Sequence, residues 1–271
     1  MCLPDRPPTH AGALGRGLLA LALDALLVLA ADFIVAKRLA WTPGGFALSF
    51  GRMLQDGIVN KYLDEHCPDP TLQLCAYKDQ LPADADTWFW GSALFDRLGR
   101  FAGLDQEMAA IGLRSLAAYP GLQIKAAAAA TVHQLIDVHS GEGVLTSIWH
   151  SYAIIERFTP QLVPAMRAAR QQQGEVGFTT INRLHYPVAL LAMALLPVIV
   201  LLTGAKILPA ELGELAAAVA LALLANAFVC GALSNPHDRY GARMIWLAIF
   251  AVFMAMLSLY KQRQRISARD I

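Results

Sequence analysis

The sequence predicts an all-α integral membrane protein with about four transmembrane helices and an extracytoplasmic helical domain after the first. Three observations carry this. The chain of 271 residues is 56% hydrophobic and only 16% charged, against roughly 45–50% and about 25% in soluble domains. The apolar excess is gathered into blocks at 17–35, 186–203, 212–233 and 244–260, each close to the ~20 residues that cover a hydrocarbon core about 30 Å thick. Between the first and second blocks no run is long enough to span, and apolar residues recur there at helical rather than alternating spacing.

Taken in order, the segments predict a disordered cytoplasmic tail at 1–15, where Pro4, Pro7 and Pro8 oppose regular structure. A transmembrane helix follows at 16–36. Asp24 and Asp32 interrupt this run. A charge at mid-bilayer costs about 2.5–3.5 kcal/mol, so Asp24, the deeper of the two, is expected to face protein rather than lipid. A signal peptide is the competing reading, but no clear small-x-small cleavage site follows. Residues 37–184 form the expected extracytoplasmic domain. Trp41–Gly45 reads as a turn. Residues 46–66 read as one amphipathic helix through Phe46, Phe50, Met53, Leu54, Ile58 and Tyr62. Residues 67–82 read as an irregular loop. Asp84 to Trp90 sets three aromatics beside acids, either as a packed corner or as an interfacial anchor or lid. Helices are expected at 92–101, at 105–118 with Asp105 as N-cap, at 122–138, and from 144 to about 172 with breaks at Pro160 and Pro164. A three-helix transmembrane region fills 185–260. Pro187 and Pro197 lie in its first helix and Asn226 in its second, where a polar group can bond across helices. A basic cytoplasmic tail closes the chain at 261–271.

Charge sets the expected orientation. Lys261, Arg263, Arg265 and Arg269 should stay cytoplasmic under the positive-inside rule. With four spans both termini are then cytoplasmic, in a bacterial inner membrane. The long domain and the turn Asn235-Pro236-His237-Asp238-Arg239-Tyr240-Gly241-Ala242-Arg243 are left outside. Lys37, Arg38, Arg239 and Arg243 run against this count, although long loops translocate largely regardless of charge. An oxidising exterior agrees with a disulfide between Cys67 and Cys75, two of four cysteines. A zinc reading of that pair lacks two further ligands.

Candidate chemistry is concentrated at the turn. Arg239 and Arg243, with His237 and Tyr240 between and before them, suit a lipid phosphate, because guanidinium binds such oxyanions bidentately. The competing reading is a snorkelling anchor pair partly neutralised by Asp238. The Arg239-Tyr240 pair ahead of a late apolar span resembles the closing part of the integral-membrane C-type glycosyltransferases. That resemblance implies a transferase using a polyprenyl-phosphate-linked sugar on the extracytoplasmic face. The family has more spans and carries an acidic catalytic residue soon after its first. Here the nearest acidic pair, Asp64-Glu65, stands later, in the helix before Cys67. These two are the catalytic candidates, and a solvated helix end is the plainer reading of them. His133, Asp137 and His139, with Glu142 nearby, offer metal-ligand residue types but match no known metal motif, and helix capping explains them as well.

The functional expectation is an integral inner-membrane protein that binds or acts on polyprenyl-phosphate-linked sugars or another anionic lipid in envelope biogenesis. The alternative is a non-catalytic, membrane-anchored scaffold with an envelope protein partner. A transporter would need Asp24 and Asn226 to face a shared interior. Membrane lipids are the expected partners. A net charge of +1 gives no basis for a nucleic-acid partner, and no cofactor fingerprint is present.

Overall fold

The computed structural model describes residues 10–36, 45–144 and 149–267. Among them every regular element is helical. Four helices are long and apolar enough to cross a membrane: Gly15–Val35, Thr179–Gly204, Ala210–Ala232 and Asp238–Arg265. The protein is therefore an all-α, multi-pass membrane protein.

The first helix, α1 (His10–Ala36), begins at His10, inside the stretch expected to be disordered. None of its apolar window is buried against the rest of the described chain. Asp24 is accordingly exposed, which corrects the expectation that it faces protein within this chain. It also separates Asp24 from Asn226, whose amide donates to the Tyr240 carbonyl at 3.3 Å. The predicted turn Trp41–Gly45 lies outside the described residues except for Gly45.

The stretch expected as one helix over 46–66 is two: α2 (Gly45–Gln55) and α3 (Ile58–His66). The break falls at Gly57, whose φ of 73° is the left-handed conformation that an L side chain rarely adopts. Breaking there lets Phe50 and Leu54 of α2 and Val59 and Leu63 of α3 all point into one core. A 3₁₀ stretch, Gln73–Gln80, follows within the expected irregular loop, and Cys67 and Cys75 are joined by a disulfide. The π-helical turn Thr87–Gly91 buries Trp88 and Phe89 beside Phe95.

Next come α4 (Ala93–Arg97), capped by the Ser92 hydroxyl accepting from the Phe95 N–H, and α5 (Arg100–Ala118). The latter starts five residues before the expected cap Asp105, because the chain turns at Gly99 and the helical hydrogen bonds begin there. Leu104, Met108 and Ile111 complete the first core. Glu107 is also buried; its Oε1 accepts from the Leu74 N–H at 2.8 Å. Burial pushes its carboxyl above the ordinary range, against the pull of that bond.

Two short helices, α7 (Trp149–Phe158) and α8 (Val163–Arg167), follow α6 (Pro120–Ile136), with a 3₁₀ turn at Pro160–Leu162 where the prolines were expected to interrupt. The remaining spans are α9 (Thr179–Gly204), α10 (Ala210–Ala227), continued by a π-helical stretch Phe228–Ala232, and α12 (Trp246–Ser267). A short α11 (Asp238–Ala242) lies inside the turn that precedes α12. Their shared core is built on small residues, including Ala189, Ala192, Ala216, Ala248, Ala251 and Ala255. In lipid no water is released by burying leucine, so close backbone approach over small side chains drives association. Leucines such as Leu191, Leu201 and Leu221 point outward.

The helix α6 ties the two cores together. Ala126 packs on the first core. Ala130 and Gln134 sit against Gly231, where an added Cβ would lie 2.5 Å from the Ala130 carbonyl oxygen. At Gly241 an added Cβ would lie 2.1 Å from the Asp137 carbonyl oxygen. Val138, just after α6, belongs to the core of the spans. The helical domain and the turn before α12 thus meet at one end of the span bundle.

Candidate functional site

The turn is fixed through its backbone before any side chain acts. Gln134 is 1% exposed. Its Nε2 donates to the His237 carbonyl at 2.9 Å, and its Oε1 accepts from the His237 N–H at 2.8 Å. One buried amide therefore satisfies both main-chain groups of one residue, as burial demands. Beyond it, Asp238 opens α11 and accepts from the His139 N–H at 2.7 Å and from His139 Nδ1 at 2.9 Å. His139 stacks on Tyr186, and the Asn182 amide pairs with both backbone groups of Ser140 at 2.9 Å. His185 Nε2 donates to the Val138 carbonyl. The segment after α6 is thereby stitched to the N-terminal ends of α9 and α11.

This stitching delivers Glu142 to the turn. Its Oε1 accepts from His237 Nδ1 at 2.6 Å, and its Oε2 accepts from the Arg239 N–H at 2.7 Å. On the other side of the imidazole, Nε2 lies 3.4 Å from Asp86 Oδ2, which also accepts from the Asn235 amide at 3.1 Å. Asp86 comes from the segment leading into the aromatic π-turn of the helical domain. His237 is consequently held between a carboxylate from each of two distant segments.

Two cavities flank it. One, of about 150 Å³, is lined by Asp86, Phe89, Trp90, Phe101, His237, Arg239 and Tyr240 among others. The second, more open and about 550 Å³, is lined by Arg52, Asp84, Asp86, His133, Asn235 and His237 among others. Arg52 pairs with Asp56 and reaches Asn235. The Arg239 guanidinium lies over the Tyr240 ring, 5.1 Å from its centroid, and 3.4 Å from the Tyr240 hydroxyl. Among the described residues no carboxylate comes within ion-pair distance of it, while the charges of Glu142 and Asp86 lie near enough to add to the Tyr240 contact in holding it protonated.

The sequence candidates separate as follows. His237, Arg239 and Tyr240 converge on the smaller cavity. Arg243 is exposed and is not among the residues lining it, so the two arginines do not form a clamp there. Asp64 pairs with Lys78, and Glu65 pairs with Lys61 and the Tyr119 hydroxyl. Those bonds hold Glu65 below the ordinary carboxylate range, while burial and then the bond to Glu65 push Tyr119 up to about 12. Neither acid lines the two cavities at the turn. The histidine–acid cluster is divided: His133 faces Asp137 at 3.5 Å, whereas His139 pairs with Asp238. Burial pushes the Asp137 carboxyl up, His133 opposes this, and the Asp238 and Glu142 carboxylates add to it. Among the described residues no three His, Cys, Asp or Glu side chains converge as metal ligands.

Sequence reasoning placed Glu142 and His139 with a metal candidate and Asp86 in an aromatic corner. It gave Gln134 no role. The signals were faint: an acid, Asp86, just ahead of Trp88-Phe89-Trp90, and a polar residue amid an alanine-rich helix. No protein-family model, no curated protein and no solved structure matches the chain.

Proposed function

We propose that this multi-pass membrane protein binds the phosphate-bearing headgroup of an amphiphile, such as a polyprenyl-phosphate-linked sugar, in the cavity between the helical domain and the turn before α12. The observation that carries this is the Arg239 guanidinium, which lines that cavity free of any ion pair among the described residues. Guanidinium matches phosphate oxygens in geometry and charge. Asp86 and His237, beside it, suit the hydroxyls of an attached sugar, because a carboxylate accepts from them and an imidazole donates or accepts. Phe89, Trp90 and Phe101 supply an apolar wall. The cavity holds a headgroup and not a whole lipid, so the chain of the amphiphile remains in the bilayer. In this reading the turn and the domain face the extracytoplasmic side and both termini are cytoplasmic, as the basic tail and the Cys67–Cys75 disulfide support.

The test is native mass spectrometry of the full chain purified in lipid nanodiscs. Wild type and Arg243→Ala should retain a phosphate-bearing lipid adduct, and Arg239→Ala should lose it. Equal retention in both variants sinks the reading. The same spectra count protein chains, which bears on the scaffold alternative. That alternative draws support from α1, whose apolar face and Asp24 find no cover within the described chain.

A further inference from the structure

His237 is fixed twice, once at its main chain and once at its ring. The buried Gln134 amide clamps both main-chain groups. Glu142 accepts from Nδ1 at 2.6 Å with one oxygen and is itself anchored through the other by the Arg239 N–H at 2.7 Å. An ionised carboxylate only accepts. The bond therefore places a ring hydrogen on Nδ1 and leaves Nε2 as the acceptor of the neutral imidazole. Asp86 Oδ2 lies 3.4 Å from Nε2, longer than the roughly 2.7–2.9 Å of a firm charge-assisted bond. The Nε2 lone pair is thus open to a third group, and an oxygen placed there can meet both Nε2 and Asp86.

An electrophile's binding group stands in the same cavity. His237 and Arg239 both line the space of about 150 Å³. Both also meet the Tyr240 ring, the imidazole edge-to-face at 5.6 Å between centroids and the guanidinium at 5.1 Å. A phosphate held by Arg239 in so small a space has the imidazole in its wall. Asp86, Asn235 and His237 line the larger, more open cavity as well, through which water reaches the ring. A base oriented by a carboxylate, supplied with water and set beside a guanidinium, is the constellation that hydrolysis at phosphorus requires.

We propose that this site hydrolyses a pyrophosphate-bearing amphiphile, with His237 as the general base. The proposal rests on the reading that Arg239 receives a phosphate, and it narrows that ligand to a pyrophosphate. A water oxygen bonds to the terminal phosphorus as the bond from that phosphorus to the bridging oxygen breaks. The electron pair of the broken bond goes to the bridging oxygen, and the water gives one proton to Nε2. The ring then passes that proton to solvent through the larger cavity. The products are inorganic phosphate and the lipid monophosphate, and nothing is oxidised or reduced. A phosphate leaves without taking a proton from the protein, so one base completes the reaction. A phosphate monoester would expel an alkoxide and need a placed acid as well, which an imidazole already acting as base does not supply. Arg239 offsets the charge that gathers on the phosphoryl oxygens. Glu142 and Gln134 are positioning residues: the first sets the tautomer and direction of the ring, and the second fixes its backbone.

Phosphate release tests it. The full chain in phosphatidylcholine nanodiscs is given farnesyl pyrophosphate. Inorganic phosphate is measured with molybdate, and native mass spectrometry follows the bound lipid. Wild type and Arg243→Ala should release phosphate. His237→Gln should keep the lipid adduct, which shows a folded and occupied site, and release phosphate at least on the order of 100-fold more slowly. Glu142→Gln should lower kcat with KM near wild type, because it loosens the base and not the phosphate contact. A merely structural role for Glu142 would raise KM instead. Farnesyl pyrophosphate bound by wild type without phosphate release overturns the proposal and leaves the headgroup reading standing. Equal release by wild type and His237→Gln also overturns it. Where His237→Gln does not fold, Glu142→Gln decides, and an unchanged kcat there refutes the dyad. Absence of both binding and release in wild type sinks the headgroup reading and the hydrolysis with it.

Discussion

Replacing Gln134 by leucine removes an amide while nearly preserving side-chain volume, so the cavity contribution is small and the polar one is isolated. The wild-type amide gives one bond to the His237 carbonyl and takes one from the His237 N–H, at 2.9 and 2.8 Å. Leaving either main-chain group buried without a partner costs about 1–3 kcal/mol. The turn is only half-buried, so water can recover part of that, and the combined loss should fall near 2–4 kcal/mol. At about 1.4 kcal/mol per factor of ten, local opening of the turn should rise on the order of 30- to 1,000-fold. Hydrogen-exchange mass spectrometry on the full chain in nanodiscs reads this in peptides covering 232–242. The variant Gln134→Glu keeps an acceptor for the His237 N–H and loses the donor, so it should fall between wild type and leucine. Unchanged exchange over 232–242 in Gln134→Leu would show that the amide does not hold the turn, and the account of how His237 is positioned would fail with it.

Other predictions concern packing and protonation. Gly231→Ala and Gly241→Ala each drive a methyl against main-chain oxygen, at 2.5 and 2.1 Å. Overpacking of this kind costs about 1–3 kcal/mol, so both variants should unfold at lower temperature. Gly121→Ala, with nothing within 4 Å, should not, and parity of all three would refute the close seating of α6. Glu107→Gln tests the buried carboxyl. Its folded-state pKa is raised by burial, so the native state binds the extra proton between the ordinary carboxylate pKa and the raised one. Wild-type stability should therefore fall as pH rises through that window and level off above it. Glu107→Gln should gain on wild type across the same window and show no difference in slope below it. A pH-independent offset between the two would contradict the assignment. The loss of a lipid adduct in Arg239→Ala alone completes the set.

The break between α2 and α3 shows where local reading stops. Phe46, Phe50, Met53, Leu54, Ile58 and Tyr62 keep helical spacing across Gly57, so periodicity alone runs the helix through. The backbone leaves the helix there because two short helices fold Phe50 and Leu63 into one core. The start of α5 moved for a related reason: Asp105 has the chemistry of a cap, but the preceding turn at Gly99 already supplies the geometry.

The sequence by itself determined the membrane character, the all-helical class and the span positions. Each of these depends on composition along a single segment, because a bilayer-crossing stretch must be apolar wherever the rest of the chain goes. It also singled out the turn from 235 to 243 as the place where charge and aromatics gather at the mouth of two spans. Only the tertiary structure decided which residues share that mouth. Asp86, Gln134 and Glu142 arrive there from separate segments, while Arg243, four residues from Arg239, turns away. The physical reason is that convergence is set by two close backbone approaches, Gly231 on Ala130 and Gly241 on Asp137. Steric room of that kind is a property of a packed pair of surfaces, and no single stretch of sequence contains both sides of it.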